Sequence, residues 1–214
     1  MLLRKTPAPG AAAAPGAVLR SEERNMEKNL VVGISGASGV PVAAAVLERL
    51  RAMPEWRSFL VMTRAAEKTV EVEYAPGMEH LRSLADVVCD PMDVSSSIAS
   101  GTFRTEGMAI VPCSMKTMAG IVSGYSDNLL LRAADVTLKE RRRLTLVPRE
   151  APLSVIHCRN LLTLAEMGCT IIPPVMSFYN GPATIDDMVR HIACKVLDSF
   201  GIYDHDMQRW ENHT

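Results

Sequence analysis

"LVVGISGASGVPVAAAVLERL", residues 30–50, reads as a strand, a glycine turn and a helix in immediate succession. Residues 30–34 form an apolar run of strand length with no polar alternation, the pattern of a strand covered on both faces. Ser35-Gly36-Ala37-Ser38-Gly39 interrupts that run with small residues, and residues 42–50 then carry a helical apolar pattern. The glycines stand at 33, 36 and 39, an even offset of three, whereas a dinucleotide fingerprint runs G-x-G-x-x-G. The dinucleotide reading is demoted accordingly. Two readings stay open: small residues at a strand-to-helix turn let backbone amides approach a phosphate at a helix N-terminus, or the turn is tight and carries no ligand.

The same grammar continues downstream. Apolar runs at 59–62, 108–111, 144–147 and 170–172 predict further strands, with helices at 65–73, 117–124, 156–167 and 185–200. Residues 81–89 fit a short helix or strand, and 95–101 a polar loop. Short unalternated strands separated by helices require a parallel sheet covered on both sides. The expected fold class is α/β: a doubly wound, mainly parallel, flavodoxin-like or Rossmann-like three-layer sandwich. A chain of 214 residues suits one such domain, over 26–203. Residues 1–25, rich in Ala, Pro and Gly, read as a disordered tail or a mis-assigned start ahead of Met26, with a mitochondrial targeting segment as the weaker alternative. Residues 204–214 read as a C-terminal tail.

With 48% hydrophobic and 22% charged residues and a net charge of -1, nothing in the composition points to nucleic acid or an anionic membrane. No apolar run approaches the roughly 18 residues of a membrane helix. Cys89, Cys113, Cys158, Cys169 and Cys194 are odd in number and contain no C-x-x-C pair, which fits reduced cysteines of a cytosolic protein rather than a zinc site or a disulfide framework.

In a parallel sheet of this kind ligands sit at the carboxyl ends of the strands. That rule selects residues 35–39, Thr63-Arg64, 112–117, 148–150 and 173–181. In "VPCSMKTMAG", residues 111–120, Cys113 or Ser114 would serve as nucleophile, Lys116 as activator, or the whole turn as a cradle. Ser114 lacks a G-x-S-x-G elbow, and no histidine base for Cys113 is indicated. Arg149 sits just past a buried strand, where a lone arginine is costly unless an anion meets it; Glu150 beside it is a candidate acid or base. Arg141 to Arg143 read as a solvated helix face, and His157 as a structural histidine. The residues alone converge serine, threonine, lysine and arginine on a phosphorylated ligand without naming it.

At "GISGASG", "PCSMKTMAG", "NLLLRAADVTLKERR", "LVPREAPLSVIH" and "PPVMSFYNGPATIDDMV" the chain resembles the UbiX-type flavin prenyltransferases, in that family's order, over residues 30–202. The resemblance implies FMN held at Gly36, Ala37 and Ser38, at Thr63, across Ser114, Met115, Lys116 and Thr117, and at Arg149. It implies dimethylallyl phosphate as second substrate, its phosphate met by Arg132, Lys139, Arg149, Tyr179 and Lys195, in a pocket often completed across a subunit boundary. The implied catalytic residues are Ser38, Glu73, Glu150 and Lys139. The implied reaction joins the dimethylallyl group to N5 and C6 of reduced FMN without a metal; prenylated FMN is the product, and a UbiD-type decarboxylase receives it. The family is commonly a large homo-oligomer, a dodecamer.

Two positions depart from the family pattern. Lys195 stands where arginine is usual, keeping the charge but losing bidentate geometry, and Thr63 stands where serine is usual. The nearest rival is an FMN-dependent cysteine decarboxylase of the same fold, whose P-x-M-N motif would need asparagine where this chain has Ser177 and a histidine that residues 40–78 do not contain. A rival of another class is a non-catalytic flavin-carrying subunit of an aromatic acid decarboxylase.

Overall fold

The structure is a computed structural model, which describes residues 28–203; both expected tails lie outside these residues. Six parallel strands form one sheet: β1 (Lys28–Ile34), β2 (Trp56–Met62), β3 (Val87–Cys89), β4 (Gly107–Cys113), β5 (Arg143–Pro148) and β6 (Thr170–Ile171), in the order β3-β2-β1-β4-β5-β6. From β1 the chain steps outward to β2 and β3, then returns across β1 to start β4 on its other side. The crevice between the carboxyl ends of β1 and β4 is therefore the topological switch point, where such sheets bind ligands.

Among the described residues seven α-helices cover the sheet: α1 (Val40–Arg51), α2 (Arg64–Glu73), α3 (Gly77–Ser83), α4 (Met115–Ser123), α5 (Leu129–Lys139), α6 (Val155–Glu166) and α7 (Ile185–Asp198). Strand alternation sorts the core into two halves. Leu30, Val32 and Ile34 of β1 point toward α1, α2, α3 and α7, while Val31 of β1 and Met108 and Ile110 of β4 point toward α4, α5 and α6. Both halves are apolar because both sides of the sheet are roofed, so the strands show no polar face.

Three local readings need correction or completion. Residues 81–89 hold the end of α3 and then β3, so helix and strand share a window too short for either period to show. Helix α5 was not expected, although Asn128 caps it through a hydrogen bond from the Leu131 N–H (3.0 Å). Arg141 to Arg143 do not form a helix face. Arg141 adopts φ 55 in a turn, Arg142 donates to the carbonyls of Gly101 (2.7 Å) and Phe103 (2.8 Å), and Arg143 opens β5 and donates to the Ser199 carbonyl (2.8 Å). The arginines staple loops to strand starts. Among the described residues no helix is long and apolar enough to cross a membrane.

Candidate functional site

Ser35 ties the two walls of the crevice together. Its buried hydroxyl donates to the Pro112 carbonyl (2.9 Å) and accepts from the Ser114 N–H (2.7 Å), fixing the end of β1 against the end of β4. Helices α1, α2 and α4 all begin at this edge, so three N-termini direct partial positive charge to the same region, and the first turns of α2 and α4 add backbone amides. Thr63 caps α2 by accepting from the Ala66 N–H (3.2 Å), and Ser114 caps α4 by accepting from the Thr117 N–H (3.3 Å). Ser114 and Thr117 also share a hydroxyl hydrogen bond of 3.1 Å. Gly36 lies so close to α2 that a Cβ there would sit 2.5 Å from the Ala65 Cβ.

Helix α1 starts on Gly39, which has no side chain to cap it. Glu73, at the far end of α2, does so instead. One carboxylate oxygen, Oε1, accepts from the N–H groups of Gly39 and Val40, each at 2.7 Å, and the other, Oε2, accepts from the Ser38 hydroxyl at 2.6 Å. The carboxylate thus clasps the glycine turn, with one oxygen committed to backbone and the other to a side chain in the crevice.

Cations rim the site. Lys116 and Arg149 are exposed, and among the described residues no carboxylate pairs with either. The Arg149 N–H donates to the Cys113 carbonyl (3.2 Å), which sets the end of β5 beside the crevice. Arg64, first residue of α2 and also exposed, adds a third cation; the strand-end rule selects it beside Thr63 without assigning it a role. Glu150 is exposed and accepts from the Ala151 N–H (3.1 Å). Met115 is buried at the foot of α4. Cys113 is fully buried, and burial, with Cys169 nearby, pushes its thiol far above the ordinary value; burial also raises Cys169 to about 11. Neither offers a thiolate near neutrality. His157 accepts from the Ser154 N–H (3.2 Å) in the capping box of α6, a structural role.

The remaining substrate positions are not brought to this crevice within one chain. Arg132 donates to the Ala99 carbonyl (3.2 Å) and pairs with Asp135 (2.6 Å). Lys139 pairs with Glu140 at the end of α5, just before β5 begins. Arg149 follows the last residue of β5, so the strand separates the two by roughly 20 Å. Lys195 is exposed on α7, on the opposite side of the sheet from α5. Tyr179 lies between β6 and α7, its ring edge-on to His191 at 6.0 Å and 83°. A single pocket holding Lys139, Arg149, Tyr179 and Lys195 therefore does not exist in one chain. A cavity of about 770 Å³ opens between α1 and α7, lined in part by Glu48, Arg49, Asn180, Asp187, Arg190 and His191, along the turns of α1 remote from the crevice.

The model of the Flavoprotein family matches residues 18–197. Flavin prenyltransferase LpdB of Lactiplantibacillus plantarum is 50% identical over 184 residues, which span 86% of this chain and 98% of that protein. A dodecameric FMN-dependent UbiX-like decarboxylase from Escherichia coli O157:H7 superposes with a TM-score of 0.84 at 48% identity, over 86% of this chain and 100% of its own. AnUbiX (PadA1), solved with FMN and dimethylallyl pyrophosphate, superposes with a TM-score of 0.85 at 42% identity, over 88% of this chain and 100% of its own.

Proposed function

The chain belongs to the UbiX-like flavin prenyltransferases of the Flavoprotein family, and from that premise we propose that it transfers a dimethylallyl group from dimethylallyl phosphate to N5 and C6 of reduced FMN. The observation that carries the reading is the Ser38–Glu73 clasp set among three helix N-termini at the switch point. The residues fit FMN: Gly36 leaves no room for a side chain, the amides at the starts of α2 and α4 suit its phosphate, and Thr63, Ser114, Lys116, Thr117 and Arg149 stand around them. When bound, reduced FMN supplies the nucleophilic atoms.

What remains for the protein is to stabilise the departing phosphate and to move a proton. Ser38 already gives its hydroxyl hydrogen to Glu73 Oε2, so its lone pairs are free toward the crevice. A proton accepted at Ser38 Oγ is matched by one passed to Glu73 Oε2, while Oε1 keeps the turn in place. Glu150, at the end of β5, is a second acid or base at the rim. Arg149 meets the leaving anion from the same chain. Because Arg132 and Lys139 lie on one side of the sheet and Tyr179 and Lys195 on the other, they reach the anion from neighbouring copies in a homo-oligomer. Lys195 acts as a point charge, without the fork of an arginine.

The product serves a UbiD-type decarboxylase, and five cysteines with no C-x-x-C pair support a cytoplasmic location. Incubating the purified protein with reduced FMN and dimethylallyl phosphate, then weighing the bound flavin, tests the reading. A gain of one dimethylallyl unit is expected; an unchanged FMN mass rejects the transferase, and decarboxylation of an aromatic acid by this protein alone would favour the carrier or decarboxylase alternative.

A further inference from the structure

Tyr179 sits on a stretch between Ile171 and Ile185 that belongs to neither strand nor helix, so no backbone ladder fixes it. Its ring instead stands edge-on to His191, 6.0 Å between centroids and 83° between planes. His191 belongs to α7, which the buried Ile192, Ala193, Val196 and Leu197 anchor in the core. Lys195 lies four residues further along the same helix, one turn from His191 and on the same side. Ser177 Oγ, Asn180 Oδ1 and His191 Nδ1 are all buried without a hydrogen-bond partner among the described residues. Buried polar groups in that state call for a partner; two of them flank Tyr179 in sequence and the third belongs to its ring partner.

We propose that His191 is a positioning residue: its imidazole holds the Tyr179 ring one helical turn from Lys195, so that hydroxyl and ammonium meet the prenyl phosphate together. The proposal rests on the reading of Tyr179 and Lys195 as phosphate ligands. Burial first, then Lys195, keeps the imidazole less basic than an ordinary histidine, with Asp198 opposing. The neutral ring therefore packs as an aromatic while Lys195 carries the charge. Glu48 and Arg49 of α1 and Asp187 and Arg190 of α7 line the same cavity as His191 and complete its charged surroundings.

The test measures KM for dimethylallyl phosphate at saturating reduced FMN in the full-length protein. His191→Ala should raise KM by about three- to tenfold, the scale of one lost aromatic pair, with kcat and FMN affinity within about twofold of wild type. His191→Phe, which keeps a ring edge, should restore most of the KM and shows that the alanine effect is not misfolding. The double variant His191→Ala with Tyr179→Ala should match Tyr179→Ala alone, because the histidine acts through the tyrosine. An unchanged KM in His191→Ala, or additive effects in the double variant, overturns the positioning role while Tyr179→Ala and Lys195→Ala still raise KM. If those two variants leave KM unchanged, the phosphate reading fails and the positioning role falls with it.

Discussion

Replacing Glu73 separates architecture from chemistry, because its two oxygens have different partners. Glu73→Ala removes three hydrogen bonds of 2.6 to 2.7 Å and leaves the Gly39 and Val40 amides uncapped at the start of α1. Bonds to a charged acceptor contribute roughly 1.5–3 kcal/mol each, and a lost helix cap costs roughly 0.5–2 kcal/mol. Glu73 is only half-buried, so water recovers part of this, and a net loss of about 2–3 kcal/mol is expected. For a domain of this size that lowers the thermal midpoint by about 5–10 °C. Glu73→Gln keeps an oxygen for the two amides but turns an NH₂ toward Ser38, so the serine must accept where it now donates. Its midpoint should fall by less than about 4 °C, while single-turnover prenylation slows by about 10²- to 10⁴-fold, the range of a lost general acid or base. Calorimetry and rapid-quench mass measurement of the flavin read the two effects independently. A Glu73→Gln variant with a wild-type rate would refute the proton role, and a Glu73→Ala variant with an unchanged midpoint would refute the clasp.

Gly36→Ala should drive the turn off α2, since its Cβ would meet the Ala65 Cβ at 2.5 Å; overpacking of this kind costs about 1–3 kcal/mol, and equilibrium dialysis should show FMN affinity reduced in step. Arg149→Ala should weaken both FMN and dimethylallyl phosphate, and wild-type affinity for both would remove it from the site. Glu150→Gln should retain FMN, as judged by bound absorbance, while slowing ring closure; a normal product rate would take it out of the proton path. Asp187 is held down to about 2, first by the Thr184 hydroxyl and backbone and then by Arg190. A depressed carboxylate stabilises the fold above its unfolded value near 3.8 and loses that contribution as pH falls toward 2; Asp187→Asn should therefore flatten the acid limb of a stability profile across that window, and an unchanged limb would reject the assignment.

Most of the fold was legible because strands buried on both faces leave a signal that survives in sequence: five of the six strands appeared as unalternated apolar runs. β3 was legible only as part of a window that fits a short helix or strand, because three residues cannot display a period, and α5 escaped because its Leu129-Leu130-Leu131 start and the following arginines disguised an amphipathic helix as a charge run. The site was legible only as far as its local half. Rules about strand ends pointed to residues 35–39, 63 and 112–117 from chain order alone. The Glu73 clasp spans 34 residues and depends on where α2 ends against α1, which no pattern within one helix announces. The partitioning of Lys139 and Lys195 to opposite sides of the sheet is likewise a property of helix order around the sheet, invisible in the spacing of the motifs that contain them.

That partition follows from how a doubly wound sheet supplies charge. The switch point gathers helix N-termini, which are partial charges made of backbone, and these suit the phosphate of a flavin that must stay bound. A second anion that is expelled during the reaction needs full cations, and side chains such as Lys139 and Lys195 cannot be stacked behind the same crevice without burying unpaired charge at several kcal/mol each. On the outer turns of α5 and α7 they remain exposed, at 45% for the Lys139 side chain, and soluble until another copy presents its crevice. On the proposed reading the second substrate site is formed by assembly, at a place where each contributing subunit keeps its lysine exposed when alone. Arg149, paired with no carboxylate among the described residues, joins Lys116 and Arg64 as a cation the chain brings to its own crevice, and on the proposed reading it links the flavin half of the site to the half that neighbouring copies supply.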